Sequence, residues 1–144
     1  MKVYVIDASI AARFLLVEDL SDRAELVLKD FLREAIDLRA PKLMVYEVGN
    51  TLWKAVRQGF IDLGGAKEKL SRLLMLKIDS IEFDEEMSRE ALDWGVKNDA
   101  TYYDSAYVEA SRKVEATLLT ADNILYEKAS KGVSTLHLRD YKGW

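Results

Sequence analysis

The stretch Val3-Tyr4-Val5-Ile6-Asp7-Ala8-Ser9 decides the fold. Its first four residues are β-formers with apolar side chains on both faces, which suits a strand buried inside a parallel sheet. Asp7 ends the run, and a short helix from about Ser9 to Leu16 should follow. The same alternation continues outward. Residues 20–37 carry apolar side chains at Leu26, Phe31, Leu32, Ala35 and Ile36, a helical period, with Ser21 as N-cap. Leu38 to Ala40 is a very short strand, Pro41 opens a helix over Lys42 to Gln58, and Gly59 closes it. Asp62 to Leu76 is a further helix with Ala66, Leu70, Leu73 and Leu74 on one face. A strand over Ile78 to Phe83 follows, and Asp84 caps a helix from Glu85 to Lys97. A helix from Tyr103 to Lys113, a strand over Thr117 to Thr120, a helix from Asn123 to Lys131 and a strand over Ser134 to Leu138 complete the chain. Five strands alternating with helices imply right-handed crossovers: an α/β fold, its central parallel sheet covered on both faces. One Pro, no Ser/Gly-rich linker and no repeat make residues 1–144 one expected domain.

Composition removes whole classes of chemistry. There is no Cys and one His, His137, so thiolate zinc sites, iron–sulfur clusters, cysteine nucleophiles and multi-His metal sites are excluded. Any metal must be a hard cation held by carboxylates. The balance of 25 Asp+Glu against 21 Lys+Arg, net −4, argues against non-specific coating of nucleic acid but leaves room for a local basic rim. The apolar run before Asp7 is too short for a signal peptide, and no run approaches a membrane span, so the expected location is the cytoplasm.

In open parallel sheets, ligands bind outside the carboxyl ends of the strands. Asp7 follows the first strand and Asp122 lies just past Leu118-Leu119-Thr120. Glu47 sits in the first turns of the helix after the second strand, and Asp104 begins the helix before the fourth. Four carboxylates therefore converge on one edge. Unpaired, they repel one another and raise their own pKa values, which a divalent cation relieves. Mg²⁺ and Mn²⁺ suit oxygen-only ligands. Each acid alone reads first as a helix cap or a solvated turn and only second as a ligand.

The motifs go further together than singly. Val-Ile-Asp-Ala-Ser (Val5 to Ser9), Pro-Lys-Leu-Met-Val-Tyr-Glu-Val-Gly-Asn (Pro41 to Asn50), Thr-Tyr-Tyr-Asp-Ser-Ala-Tyr-Val-Glu-Ala-Ser (Thr101 to Ser111) and Leu-Leu-Thr-Ala-Asp (Leu118 to Asp122) resemble, in order and spacing, the four motifs of PIN-domain ribonucleases. In size the chain looks most like the VapC-type toxins of toxin–antitoxin pairs. The resemblance implies a three-layer α/β/α PIN-like fold. It also implies Mg²⁺- or Mn²⁺-dependent endonucleolytic cleavage of RNA by metal-activated water, leaving a 5′-phosphate and a 3′-hydroxyl. Carried over by position, Asp7, Glu47, Asp104 and Asp122 match the acidic quartet that holds the metal. Ser9 and Thr120 match positions where a hydroxyl bonds an acid or a substrate oxygen, and Asn50, three residues beyond Glu47, shares its helix face. Asn123 after Asp122 departs from relatives that carry further acids there and leaves a second metal open. The resemblance also implies a cognate antitoxin in a groove of the early helices, and a symmetric homodimer.

Arg13, Lys54 and Arg57 read either as a basic rim guiding RNA or as solvated helix surface. Tyr102, Tyr103 and Tyr107 read as packing ahead of base-stacking, Tyr107 facing the acid of its own helix. Trp53, Trp94 and His137 read as core, edge or interface. Two other functions compete. A receiver-like phosphoacceptor module needs an acidic pair after the first strand and a Lys ending the fifth; the sequence has one acid and His137-Leu138-Arg139-Asp140. A catalytically silent PIN-fold domain that only binds a partner has no need of the intact quartet. No Gly-rich phosphate loop and no Gly-x-Ser-x-Gly elbow is present.

Overall fold

Strand β1 (Lys2–Ile6) is the centre of the molecule. In the computed structural model, which describes all residues 1–144, it pairs in parallel with β2 (Ile36–Pro41) on one side and β4 (Thr117–Thr120) on the other. β3 (Asp79–Ile81) and β5 (Thr135–His137) add to the two flanks, giving the order β3-β2-β1-β4-β5. Consecutive residues of a strand point to opposite faces. Tyr4, Val5 and Ile6 are all buried, as are all four residues of β4, so both faces of the sheet are covered. The cover comes from α1 (Ala8–Arg13), α2 (Ser21–Leu32), α3 (Leu43–Arg57), α4 (Leu63–Met75), α5 (Glu85–Lys97), α6 (Tyr102–Lys113) and α7 (Asn123–Ala129). The core runs through the sheet from Val27, Val48 and Leu52 to Tyr107, Leu118 and Leu125. No helix is long and apolar enough to cross a membrane.

The strand order matters for function. After β1 the chain moves outward to β2 and β3, then returns to the other side of β1 as β4. The point where the direction reverses lies between β1 and β4, and a crevice opens there beyond the carboxyl ends of the strands. Asp7 and Asp122 leave these two strands at that point.

Several boundaries differ from those read in the sequence. The helix expected to reach Asp37 stops at Leu32. Glu34 adopts a left-handed φ of 61°, the Ala35 N–H returns to the Asp30 carbonyl, and Ile36 enters β2. Ser21 is not the cap. Leu20, with φ 61°, occupies that position, and the Ser21 hydroxyl instead accepts the Glu18 N–H in the preceding turn. Pro41 ends β2 opposite Ile81, and Lys42 precedes α3. β3 is confined to three residues because only those reach β2. On α4, Ala66 and Leu73 face the core while Leu74 is exposed.

Candidate active site

Asp7 caps α1 at the end of β1, so its carboxylate is fixed by two elements at once. The Ser9 hydroxyl donates to Oδ1 at 2.6 Å and the Thr120 hydroxyl to Oδ2 at 2.6 Å, with the Ile10 N–H at 3.3 Å on Oδ1. Both hydroxyls are themselves held: Ser9 Oγ accepts the Ala121 N–H and Thr120 Oγ1 accepts the Asp122 N–H. The switch point is thus laced from β1 to β4 by side chains. No cation touches Asp7. Burial pushes its carboxyl up to about 6, against the three donors, and the Asp122 charge adds to the push.

The other three acids arrive from separate elements. Asp122 caps α7, its Oδ1 accepting the Ile124 and Leu125 N–H groups. Asp104 stands in the first turn of α6, whose cap is the Thr101 hydroxyl. Burial holds the Asp104 carboxyl above its usual range; the charges of Asp122 and Glu47 add to this, and Lys128 opposes it. Glu47, in the second turn of α3, accepts a 2.5 Å hydrogen bond from the Tyr107 hydroxyl on Oε1. Burial, and then that bond to a carboxylate, raise the Tyr107 pKa, so the phenol keeps its proton. Tyr107 therefore faces Glu47 across two helices rather than Asp104 on its own.

The four acids meet through their fields more than by contact. No three His, Asp or Glu side chains stand close enough to ligate one ion together. A hard cation placed among them would touch few carboxylates directly and would keep several of its waters. The donor set is what a hard cation requires: it is all oxygen and carries excess negative charge, opposed at Asp104 by Lys128.

Beside the acids lies a cleft of about 580 Å³ whose walls include Ser9, Arg13, Glu47, Asn50, Lys54 and Tyr103. The candidate RNA contact Lys54 and the supporting residue Asn50 are exposed there. Arg13 is also in the wall, but its three guanidinium nitrogens bind the Ser9 carbonyl and Asp19, so it ties down the following loop. Arg57 lies outside the cleft, its guanidinium 5.8 Å from the Trp53 ring. Tyr102 and Tyr103, expected to pack inside, are exposed, and so is Trp53; Trp94 is buried. His137 is a buried support. Its Nδ1 accepts the Arg139 N–H and its Nε2–H donates to Asn123 Oδ1 at 2.8 Å, bracing the start of α7 beside Asp122. Burial first, and then Arg139, lower its pKa and keep it neutral.

The sequence profile of the PIN domain matches residues 4–131. The chain belongs to the PIN-domain family. Among its PIN relatives, Ribonuclease VapC3 of Pyrobaculum aerophilum is 34% identical over 128 residues, 86% of this chain and 92% of the relative. Exonuclease VapC9 of the same organism is 34% identical over 101 residues, 67% of this chain and 72% of the relative. The crystal structure of PAE2754 from Pyrobaculum aerophilum superposes with a TM-score of 0.70 at 28% identity, covering 96% of this chain and 92% of that one. A PIN fold explains why acids far apart in sequence gather at one edge, since each sits at or just after the end of a strand or at the start of a helix. The sequence pointed to the quartet. It missed Lys128 beside Asp104, Tyr103 in the cleft wall and the Tyr107–Glu47 bond, which depend on how α3, α6 and α7 pack.

Proposed function

We propose that residues 1–144 form one VapC-type PIN domain that hydrolyses RNA internally with the help of Mg²⁺ or Mn²⁺. The observation that carries this reading is Asp7: a buried carboxylate with three donors, no cation, and a pKa pushed up to about 6. A site that stores uncompensated negative charge at a strand-end crevice is a site built for a cation. Asp7, Asp104, Glu47 and Asp122 would hold the ion between them, most of them through its bound waters rather than directly. The ion would supply Lewis acidity toward the phosphate and a water of lowered pKa.

The chain's own residues do the rest. Ser9 and Thr120 orient both oxygens of Asp7, so the carboxylate does not rotate during the reaction. Tyr107 occupies Oε1 of Glu47 with its proton and leaves Oε2 free to bind. Asn50 and Lys54 hold the RNA backbone along the cleft, with Arg13 fixing the loop behind them. Water adds to phosphorus, the bond to the 3′ oxygen breaks, and a 5′-phosphate and a 3′-hydroxyl result.

Exposed apolar surface supports the reading of the partners. Val17, Trp53, Phe60 and Leu63 are all exposed along α3, α4 and the loop before α2. An adjoining groove of about 550 Å³ is lined by Leu16, Ala55 and Ile61 among others. A cytoplasmic antitoxin segment would cover this groove, and a second copy of the chain would complete a homodimer.

Incubation of a circular single-stranded RNA with the purified protein and Mn²⁺ tests the reaction. A circle has no ends, so its opening requires internal cleavage. Asp7→Asn should reduce the rate at least about 100-fold while circular dichroism stays unchanged. Full metal-dependent activity in that variant would remove Asp7 from the site. Degradation of linear but not circular RNA would make the enzyme an exonuclease.

A further inference from the structure

We infer that the apolar groove next to the acidic cleft is a subsite for one nucleobase of the RNA, with the Tyr103 ring as its stacking face; this rests on the ribonuclease reading above. The groove has a volume of about 330 Å³ and runs between the ends of β2 and β3 and the first turns of α6. Leu43, Ile81, Phe83 and Ala106 form its floor and sides. Leu43 and Tyr103 line both this groove and the cleft that holds Glu47, so the two spaces share one wall. Tyr103 is also next in sequence to Asp104. A phosphate placed over the acids therefore puts an attached base within reach of that ring.

The occupant follows from chemistry. Tyr103 is 58% exposed and Tyr102 is 43% exposed, and the Tyr103 hydroxyl has no hydrogen-bond partner in the protein. These two neighbouring tyrosines on the first turn of a helix each leave about half of their area open. Their π faces suit a flat, uncharged ring, and stacking on such faces tolerates any base. The only charged groups at the rim are Lys42 and Glu82, exposed and 3.7 Å apart, which largely neutralise each other. The anionic backbone then has one side to follow, toward Lys54, while the base takes the uncharged side. Splaying a base away from the backbone in this manner is how single-stranded RNA is read.

The test separates this subsite from catalysis. Short single-stranded RNAs carrying 2-aminopurine at successive positions are titrated with Asp7→Asn protein in Mg²⁺, and the same RNAs without the probe are given to the wild-type enzyme. Quenching should peak at one position. Adding Tyr103→Ala should abolish that quenching and weaken binding about 5- to 150-fold, whereas Tyr103→Phe, which keeps the ring, should preserve both. Tyr103 is exposed, so truncation leaves the core untouched. Cleavage by the wild type with quenching unaffected by Tyr103→Ala would overturn the subsite and leave the ribonuclease standing. Tyr103-dependent quenching without cleavage would support the subsite and overturn the ribonuclease. A change of oligomeric state in Tyr103→Ala, with quenching intact, would assign the groove to self-association and overturn the subsite.

Discussion

Two aspartates of this protein are almost fully buried, and they behave in opposite ways. Asp7 is 4% exposed and Asp30 is 2% exposed. Around Asp30, burial raises the carboxyl pKa, but the Tyr141 hydroxyl at 2.6 Å, the Arg33 guanidinium at 3.0 Å and the Trp144 N–H at 3.0 Å more than offset it. Its carboxyl sits below the ordinary range. Around Asp7, three donors and no cation leave the balance on the other side, at about 6. One carboxylate is a finished ion pair that ties the C-terminal segment to α2. The other has hydrogen-bond donors but no cationic side chain, which is what the metal reading of the site requires. Burial is common to both; the counter-charge is what separates them, and it is the ground for proposing Asp7 as a ligand.

The largest effect separating the two belongs to Asp30. Replacing it with Ala strands the buried Tyr141 hydroxyl and the Trp144 N–H, while Arg33 can turn to water. We expect a loss of about 3 kcal/mol in urea unfolding, with the activity of the folded fraction unchanged. A loss under about 0.5 kcal/mol would show that the network is ornamental.

At Asp7 the sign reverses. Its folded pKa of about 6 lies above an unfolded value near 3.8, so between those pH values the folded state binds the extra proton. Metal-free stability should therefore fall as pH rises from about 4 to about 6 and stay lower above it. Two units correspond to about 3 kcal/mol at most. Asp7→Asn removes that penalty. The variant, inactive on RNA, should be more stable than the wild type at pH 7 without metal, and the gain should vanish near pH 4. Asp30, with its lowered pKa, acts the opposite way: its contribution is full above the unfolded value and is lost as pH falls through the folded one. Mg²⁺ should raise the melting temperature of the wild type and leave Asp7→Asn unmoved. Equal stability of the two proteins across this range would mean that Asp7 is not held unpaired.

The contrast also explains what could be read from the chain. Asp7 was legible because its cause is local: a four-residue apolar strand stops at an acid, and a Ser two residues on can reach back to it. The nearness of Asp104 to Asp122 and Glu47 was legible because strand ends and helix starts have recognisable borders. Asp30 was invisible, since its partners Tyr141 and Trp144 lie 111 and 114 residues away. The Tyr107–Glu47 bond spans 60 residues between two helices, and helical spacing alone gave Tyr107 the wrong acid. The exposure of Tyr102 and Tyr103 was missed for a related reason: aromatic residues at a helix start suggest packing, but α6 packs over the middle of the sheet from Ser105 onward and its first turn stays open.

The smallest predicted effect probes how Asp7 is kept charged enough to work. The Thr120 hydroxyl donates to Asp7 and accepts the Asp122 N–H, so it links two of the four acids through one oxygen. Thr120→Val keeps the shape and removes the link. The loss of a donor to the charged form must raise the Asp7 pKa further, and the Asp122 N–H loses its partner. Stability should drop by about 1–2 kcal/mol at neutral pH. A structural role alone would stop there. A positioning role predicts more: the acidic limb of the pH–rate profile moves to higher pH, because a proton now competes more strongly with the metal for Asp7. Thr120→Ser, which restores the hydroxyl, should bring the limb back. If Thr120→Val loses stability while its pH profile stays in place, Thr120 packs the β1–β4 seam and does nothing for the charge on Asp7.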